Sequence, residues 1–327
     1  MVGSVNEQVH AHSWVTAEGT LNEQSITSRE RLYKGMNGRY VERFTVHTGE
    51  SYIFKPLTNP GQHGRERWIS LHVLSLLPSI YPQLMASSEE EIVPEKSWLI
   101  YEDLGPLVHQ LQEDTMLSAA VHMAEWHTLW ASDWDELPRV GQKPSIGDML
   151  LELRDSQEST DDLLSKLGMA LSVSDWDEIK MLIQTAEKEL PLVLCHGDLH
   201  PGNMADVSGR LVIMDWEHAH LNTPLWDLYH LVDLSHPLFP RLVTPEIRER
   251  IIRMYLDESE RRGKQFQRVS FKRWYDAYAI VFSLWMLRLI DADLKKADCV
   301  WPEEQLRNQW RETAATLEQC MNQLFTE

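Results

Sequence analysis

Two polar clusters, each set directly after a short apolar run of β character, constrain this chain more than any other feature. Pro191-Leu192-Val193-Leu194-Cys195 runs into His196-Gly197-Asp198-Leu199-His200-Pro201-Gly202-Asn203. Arg210-Leu211-Val212-Ile213-Met214 runs into Asp215-Trp216-Glu217, with Asp215 twelve residues after Asn203. Pro201 and Gly202 make the first cluster a poor helix, so it reads as a tight loop. An Asp and an Asn five residues apart on such a loop can aim one group at an attacking hydroxyl and the other at a metal. A second Asp at the end of the neighbouring strand completes the hard oxygen shell that Mg²⁺ takes. Phosphoryl transfer needs this set: a carboxylate to orient the hydroxyl and accept its proton, and oxygen ligands to hold magnesium on the phosphates. Asp198 is expected to be the base, with Asn203 and Asp215 as ligands.

The rest of the chain falls into two hydrophobic patterns. Near the N-terminus the period is two: Arg31 to Lys34 leads to the turn Gly35-Met36-Asn37-Gly38, and Tyr40 to Val46 and Ser51 to Lys55 form a hairpin around Thr48-Gly49-Glu50. A helix is predicted from Arg65 to Leu77, where Pro78 stops it, and a last strand over Ser97 to Tyr101. Beyond that point helical spacing predominates, over Met116 to Trp130, Ile146 to Leu167, Ser174 to Leu190, Pro245 to Arg262, Phe271 to Lys295 and Pro302 to Leu324. The expected organisation is α+β, with a small sheet lobe over residues 1–103 and a larger helical lobe over 104–327 that holds the catalytic loop and the acceptor pocket.

Composition narrows the partners. A net charge of −19 argues against a nucleic-acid surface, which needs a basic stripe. Residues 1–105 carry 9 Lys+Arg against 13 Asp+Glu, leaving 22 against 37 for residues 106–327, so the acidity sits in the C-terminal part. The apolar run from Ala277 to Leu287 is too short to span a bilayer, and no leader is readable at the start, so a cytoplasmic protein without membrane contact is expected. The odd set Cys195, Cys299 and Cys320, with no CxxC spacing, reads as free thiols.

With these residues in hand, the chain resembles the aminoglycoside phosphotransferase and choline kinase family, small-molecule relatives of protein kinases. HGDLHPGN matches that family's catalytic loop and MDWE its metal-binding segment, while Trp226-Asp227-Leu228 matches its downstream structural Asp. The resemblance implies a protein-kinase-like bilobal fold, ATP (or GTP) as donor and Mg²⁺ as metal. It implies that Asp227 braces the catalytic loop, with His196 and His200 in support. It places Lys55 on the phosphates, Glu66 as its ion-pair partner, and Gly35, Asn37 and Gly38 in the nucleotide loop. Tyr101, Glu102 and Asp103 lie in the hinge whose backbone meets adenine, and Trp126-His127 falls at a helical packing pair.

Two departures point to the acceptor. Protein kinases have Arg where Gly197 stands, and that Arg couples catalysis to a phosphorylated activation loop, so such regulation is not expected here. Eleven residues between Asp215 and Asp227 are too few to dock a peptide, so a small molecule is expected. The acidic C-terminal part favours a cationic, amine-bearing hydroxyl compound, an antibiotic or a metabolite, with Glu217, Asp291 and Asp293 as candidate contacts. Other readings are a choline- or homoserine-type metabolic kinase and a non-catalytic kinase-like binding or coat protein. A metallohydrolase built on His196 and His200 ranks last, because the loop is no helix and no third ligand falls at a recognisable spacing.

Overall fold

The computed structural model describes residues 12–35, 37–89, 92–109, 112–129, 137–241, 243–296 and 298–326; Met36 and Trp130 lie outside the described residues. Two compact units emerge, residues 1–108 with 205–218 and residues 109–204 with 219–327.

The first unit holds strands β1 (Ile26–Lys34), β2 (Tyr40–Val46), β3 (Ser51–Pro56), β4 (Leu84–Ser87) and β5 (Trp98–Glu102), with helix α1 (Arg65–His72) following β3. The strands make one antiparallel sheet in the order β1-β2-β3-β5-β4. Alternation along β2 turns Phe44 and Val46 inward, where they meet Phe54, Trp98 and Ile100 in the core. The hairpin therefore stands where period-two spacing put it, and the last strand lies one residue further along than the apolar run of Ser97 to Tyr101 that announced it. Strand β4 was not legible, because four residues are too few to establish alternation. Helix α1 ends at His72, short of the predicted Leu77, and Leu74–Leu76 tighten into a 3-10 turn. Pro78 forces Leu77 into extended backbone, at φ −98° and ψ 158°, so the chain has already left the helix. A ribbon of β7 (Met204–Val207) and β8 (Arg210–Ile213) turns at Ser208 and Gly209 and leads to Asp215.

The second unit is built on α2 (Glu113–His127), α3 (Ile146–Asp155), α4 (Gln157–Lys166), α5 (Val173–Glu189), α6 (Leu225–Val232), α7 (Pro245–Arg261), α8 (Arg268–Leu294) and α9 (Glu303–Thr326). Strands β6 (Val193–Cys195) and β9 (His220–Asn222) pair antiparallel within it. The helix predicted over Ile146 to Leu167 is two helices. Ser156 leaves helical backbone at φ −109° and ψ 36°, and Thr160 Oγ1 donates to the Leu153 and Ser156 carbonyls there. Helix α8 buries every residue from Trp274 to Leu287, which explains its long apolar run as core. Among the described residues no helix is long and apolar enough to cross a membrane. Helix α6 escaped the sequence reading because all eight of its residues are buried, leaving no polar face to reveal a period.

Candidate active site

The second unit assembles the expected catalytic loop around one carboxylate. Asp227 on α6 is fully buried and accepts from four donors. The His196 N–H (2.7 Å), Trp126 Nε1 (3.3 Å) and His127 Nε2 (3.3 Å) reach its Oδ2, and the Gly197 N–H (3.1 Å) reaches Oδ1. Burial alone would raise the Asp227 pKa, and the hydrogen bonds from His127 and the loop outweigh it, holding the group at about 2. The Trp126-His127 pair thus does more than pack. Gly197 sits at φ 90°, and its carbonyl accepts from Trp226 Nε1 at 3.0 Å, so a side chain there would strain the loop. That is the local reason the kinase Arg has no place at this position.

Asp198 is partly buried beside two histidines and a lysine. Its N–H donates to His196 Nδ1 (3.3 Å), and its Oδ2 lies 3.5 Å from His200 Nε2. His200 Nδ1 accepts from the Gly202 N–H (3.0 Å), which leaves the ring proton on Nε2, facing the carboxylate. On the other side, Lys143 Nζ lies 3.7 Å from Asp198 Oδ1. Burial opposes ionisation of Asp198, yet the His200 hydrogen bond and the Lys143 charge hold it well below the ordinary carboxylate range. Asn203 Nδ2 donates to the Asp198 carbonyl at 2.9 Å, so its Oδ1 remains for a metal.

The first unit gathers the residues expected on the phosphates. Lys55 on β3 donates to Glu66 Oε2 on α1 (2.6 Å) and to Asp215 Oδ1 (2.7 Å), and Glu217 Oε2 stands 3.6 Å away. Burial works against the Lys55 charge, and Asp215, Glu66 and Glu217 together overcome it, lifting its pKa well above the ordinary value. Burial pushes Glu66 up to about 7, with three carboxylates sharing one ammonium. The cluster sets three carboxylates against one ammonium, an excess of hard oxygen donors that complements a divalent cation. Asp215 adopts φ 63°, in the left-handed region that a non-glycine residue occupies only when its surroundings hold it there. Glu217, expected toward the acceptor, faces Lys55.

The loops expected to meet the nucleotide are internally bonded. The Gly35 N–H donates to the Arg39 carbonyl (2.8 Å) and the Gly38 N–H to the Gly35 carbonyl (2.9 Å), while Asn37 Nδ2 reaches the Leu57 carbonyl (2.9 Å). Tyr101 is buried on β5. Glu102 Oε1 accepts from the Gln83 N–H (2.8 Å), and Asp103 binds Arg43 and Ser51 at 2.8 Å each. Asp291 and Asp293 lie at the C-terminal end of α8, ion-paired with Lys295 and Lys296. Among the described residues, two clusters have the spacing to hold a metal ion, Glu66 with Asp215 and Glu217, and His127 with Cys195 and Asp227. Neither contains the His196 and His200 pair of the hydrolase reading. The sequence reading missed Lys143, which no motif marks, and weighed His230 only among the histidines of the hydrolase reading.

Comparisons with known proteins bear on the family and the fold. Residues 106–266 match the phosphotransferase enzyme family, APH. Protein LicA of Haemophilus influenzae is 30% identical over 86 residues, 26% of this chain and 30% of LicA, so the chain aligns with under a third of that relative's length. Among solved structures, choline kinase from Cryptosporidium parvum superposes with a TM-score of 0.57 at 15% identity, covering 97% of both chains. An aminoglycoside phosphotransferase from Alicyclobacillus acidocaldarius gives 0.57 at 14% identity, covering 97% of this chain and 96% of its own. The resemblance carried by HGDLHPGN and MDWE therefore holds, and the fold is kinase-like.

Proposed function

We propose that this chain, kinase-like in fold and matching the phosphotransferase enzyme family over residues 106–266, is a small-molecule kinase that moves the γ-phosphoryl group of a nucleoside triphosphate to an alcohol. One observation carries the reading. Glu66 on α1 and Asp215, 160 residues along the chain from Lys55, both meet the one buried ammonium of Lys55, the residue types and order that the resemblance assigns to the phosphates and the metal. Asn203 and Asp215 would hold Mg²⁺, which neutralises phosphate charge when bound, and the residues of 1–103 would bind the nucleotide. Asp198 orients the acceptor hydroxyl and takes its proton. Catalysis by such a set is positioning plus charge neutralisation. Asp215→Ala is expected to weaken Mg²⁺-dependent nucleotide binding by roughly 10–100-fold, the range that loss of even an outer partner of a metal ligand costs. Calorimetry returning unchanged affinity would remove Asp215 from the metal site.

The acceptor follows from charge. The acidity of residues 106–327 attracts cations, which supports an amine-bearing hydroxyl compound, an antibiotic or a choline-like metabolite. A thermal-shift screen with a nonhydrolysable ATP analogue and Mg²⁺ tests this, because ligands that bind the folded state raise its apparent stability. Amine-bearing alcohols are expected to raise Tm and to lose the effect as salt increases. Stabilisation by neutral or anionic alcohols alone would overturn the preference.

A further inference from the structure

Lys143 has no motif to announce it, and its placement is the least expected feature of the second unit. It lies in the segment before α3 with its side chain only 16% exposed. Its ammonium is held from behind. His230 Nδ1 bonds the Trp226 carbonyl at 2.8 Å, which fixes the ring proton on Nδ1 and leaves Nε2 as an acceptor, 3.4 Å from Lys143 Nζ. Burial, with the Lys143 charge, pushes the His230 pKa down to about 3, so the imidazole stays neutral and can accept. From this seat Nζ points to Asp198 Oδ1 at 3.7 Å, too far for a direct hydrogen bond. That gap suits one atom. An oxygen held about 2.8 Å from each group closes a triangle on the 3.7 Å base.

We propose that Lys143 is a catalytic residue for phosphoryl transfer, its ammonium sharing the acceptor oxygen with Asp198 and stabilising the phosphoryl group as it arrives. The inference rests on the kinase reading above. In the step, the acceptor O–H breaks and its proton goes to Asp198, the new O–P bond forms, and the bond from the γ-phosphorus to the bridging oxygen breaks to release the nucleoside diphosphate. Asp198 then returns the proton to solvent. Negative charge is delivered beside a carboxylate, and a fixed cation there stabilises the transition state more than the bound triphosphate.

The test needs no acceptor. Binding of Mg-ADP with aluminium fluoride, which mimics the transferring group, is compared with binding of the Mg²⁺ complex of AMP-PNP, in wild type, Lys143→Met and Lys143→Arg. Lys143→Met is expected to lose about 10²-fold in affinity for the mimic, the scale of one lost transition-state donor. Its AMP-PNP affinity and Tm should match wild type, and Lys143→Arg should recover most of the loss. If Lys143→Met folds poorly, Lys143→Gln, which keeps a donor toward His230, serves in its place. A neutral variant that binds the mimic as well as wild type overturns the inference and leaves the kinase reading standing. So does an equal loss for both ligands together with a lowered Tm. A wild-type chain that binds neither ligand overturns the kinase reading and this inference with it.

Discussion

Asp198→Asn is expected to lower kcat by roughly 10²–10⁴-fold, the range for a lost general base, with little change in affinity for Mg-ATP. The separation follows from what the side chain touches. Its two oxygens face His200 and Lys143. Asn203 is oriented by the Asp198 backbone carbonyl, which the substitution keeps, so the metal ligand holds its pose. Asparagine preserves shape and offers no basic oxygen of comparable strength. Turnover with an acceptor identified by thermal shift, alongside calorimetry with Mg-ATP, measures both halves. Near-wild-type turnover would take Asp198 out of the chemistry, and a parallel loss of nucleotide affinity would mean that it serves the phosphates instead.

Asp227→Asn should give the largest loss of stability. The carboxylate accepts four hydrogen bonds and offers no donor, whereas an amide turns an NH₂ toward N–H groups already in place. Stranding buried donors in this way costs about 3–5 kcal/mol, or roughly 10 °C in the Tm of the unit that holds it. Turnover should fall as well, because the His196 and Gly197 amides that shape the loop lose their anchor. The pH dependence supplies a second check. Asp227 is depressed from 3.8 to about 2 on folding, so its ionisation contributes about 2 kcal/mol that is fully present above the unfolded pKa. That contribution is lost as pH falls through the folded pKa. Urea denaturation should therefore show the full wild-type advantage over Asp227→Asn at pH 6, narrowing from about pH 4 toward pH 2. A gap independent of pH would mean that the carboxylate charge does not carry the brace.

Legibility in the sequence followed the physics of each segment. Period-two alternation marked β2 and β3 because one face of each strand is wet and the other packs on Phe44, Phe54 and Ile100. Three- and four-residue spacing marked α5 and α7 for the same reason, and their caps are readable too, Ser172 with Asp175 and Thr244 before Pro245. Where both faces are buried the pattern vanishes, and α6 was missed although it carries Asp227, whose role came from a motif. The break at Ser156 was hidden as well, since the apolar positions on either side keep helical spacing across it.

What the sequence by itself determined is the chemistry that short spacing can hold. Asp198 and Asn203 lie on one loop, and Pro201 with Gly202 keeps that loop from becoming a helix. That Gly197 stands at φ 90°, where a side chain would be strained, came only from the structure. Only the tertiary structure decided which distant groups meet. Lys55 finds Asp215 across 160 residues, and Glu217, read as an acceptor contact, is drawn to the same ammonium because a buried positive charge gathers the carboxylates within reach. Lys143 comes to Asp198 from a loop without pattern, held by an imidazole whose proton is fixed by the Trp226 carbonyl one helical turn back. Charge and hydrogen-bond satisfaction act through space, whereas the periodicity that makes a sequence readable acts along the chain.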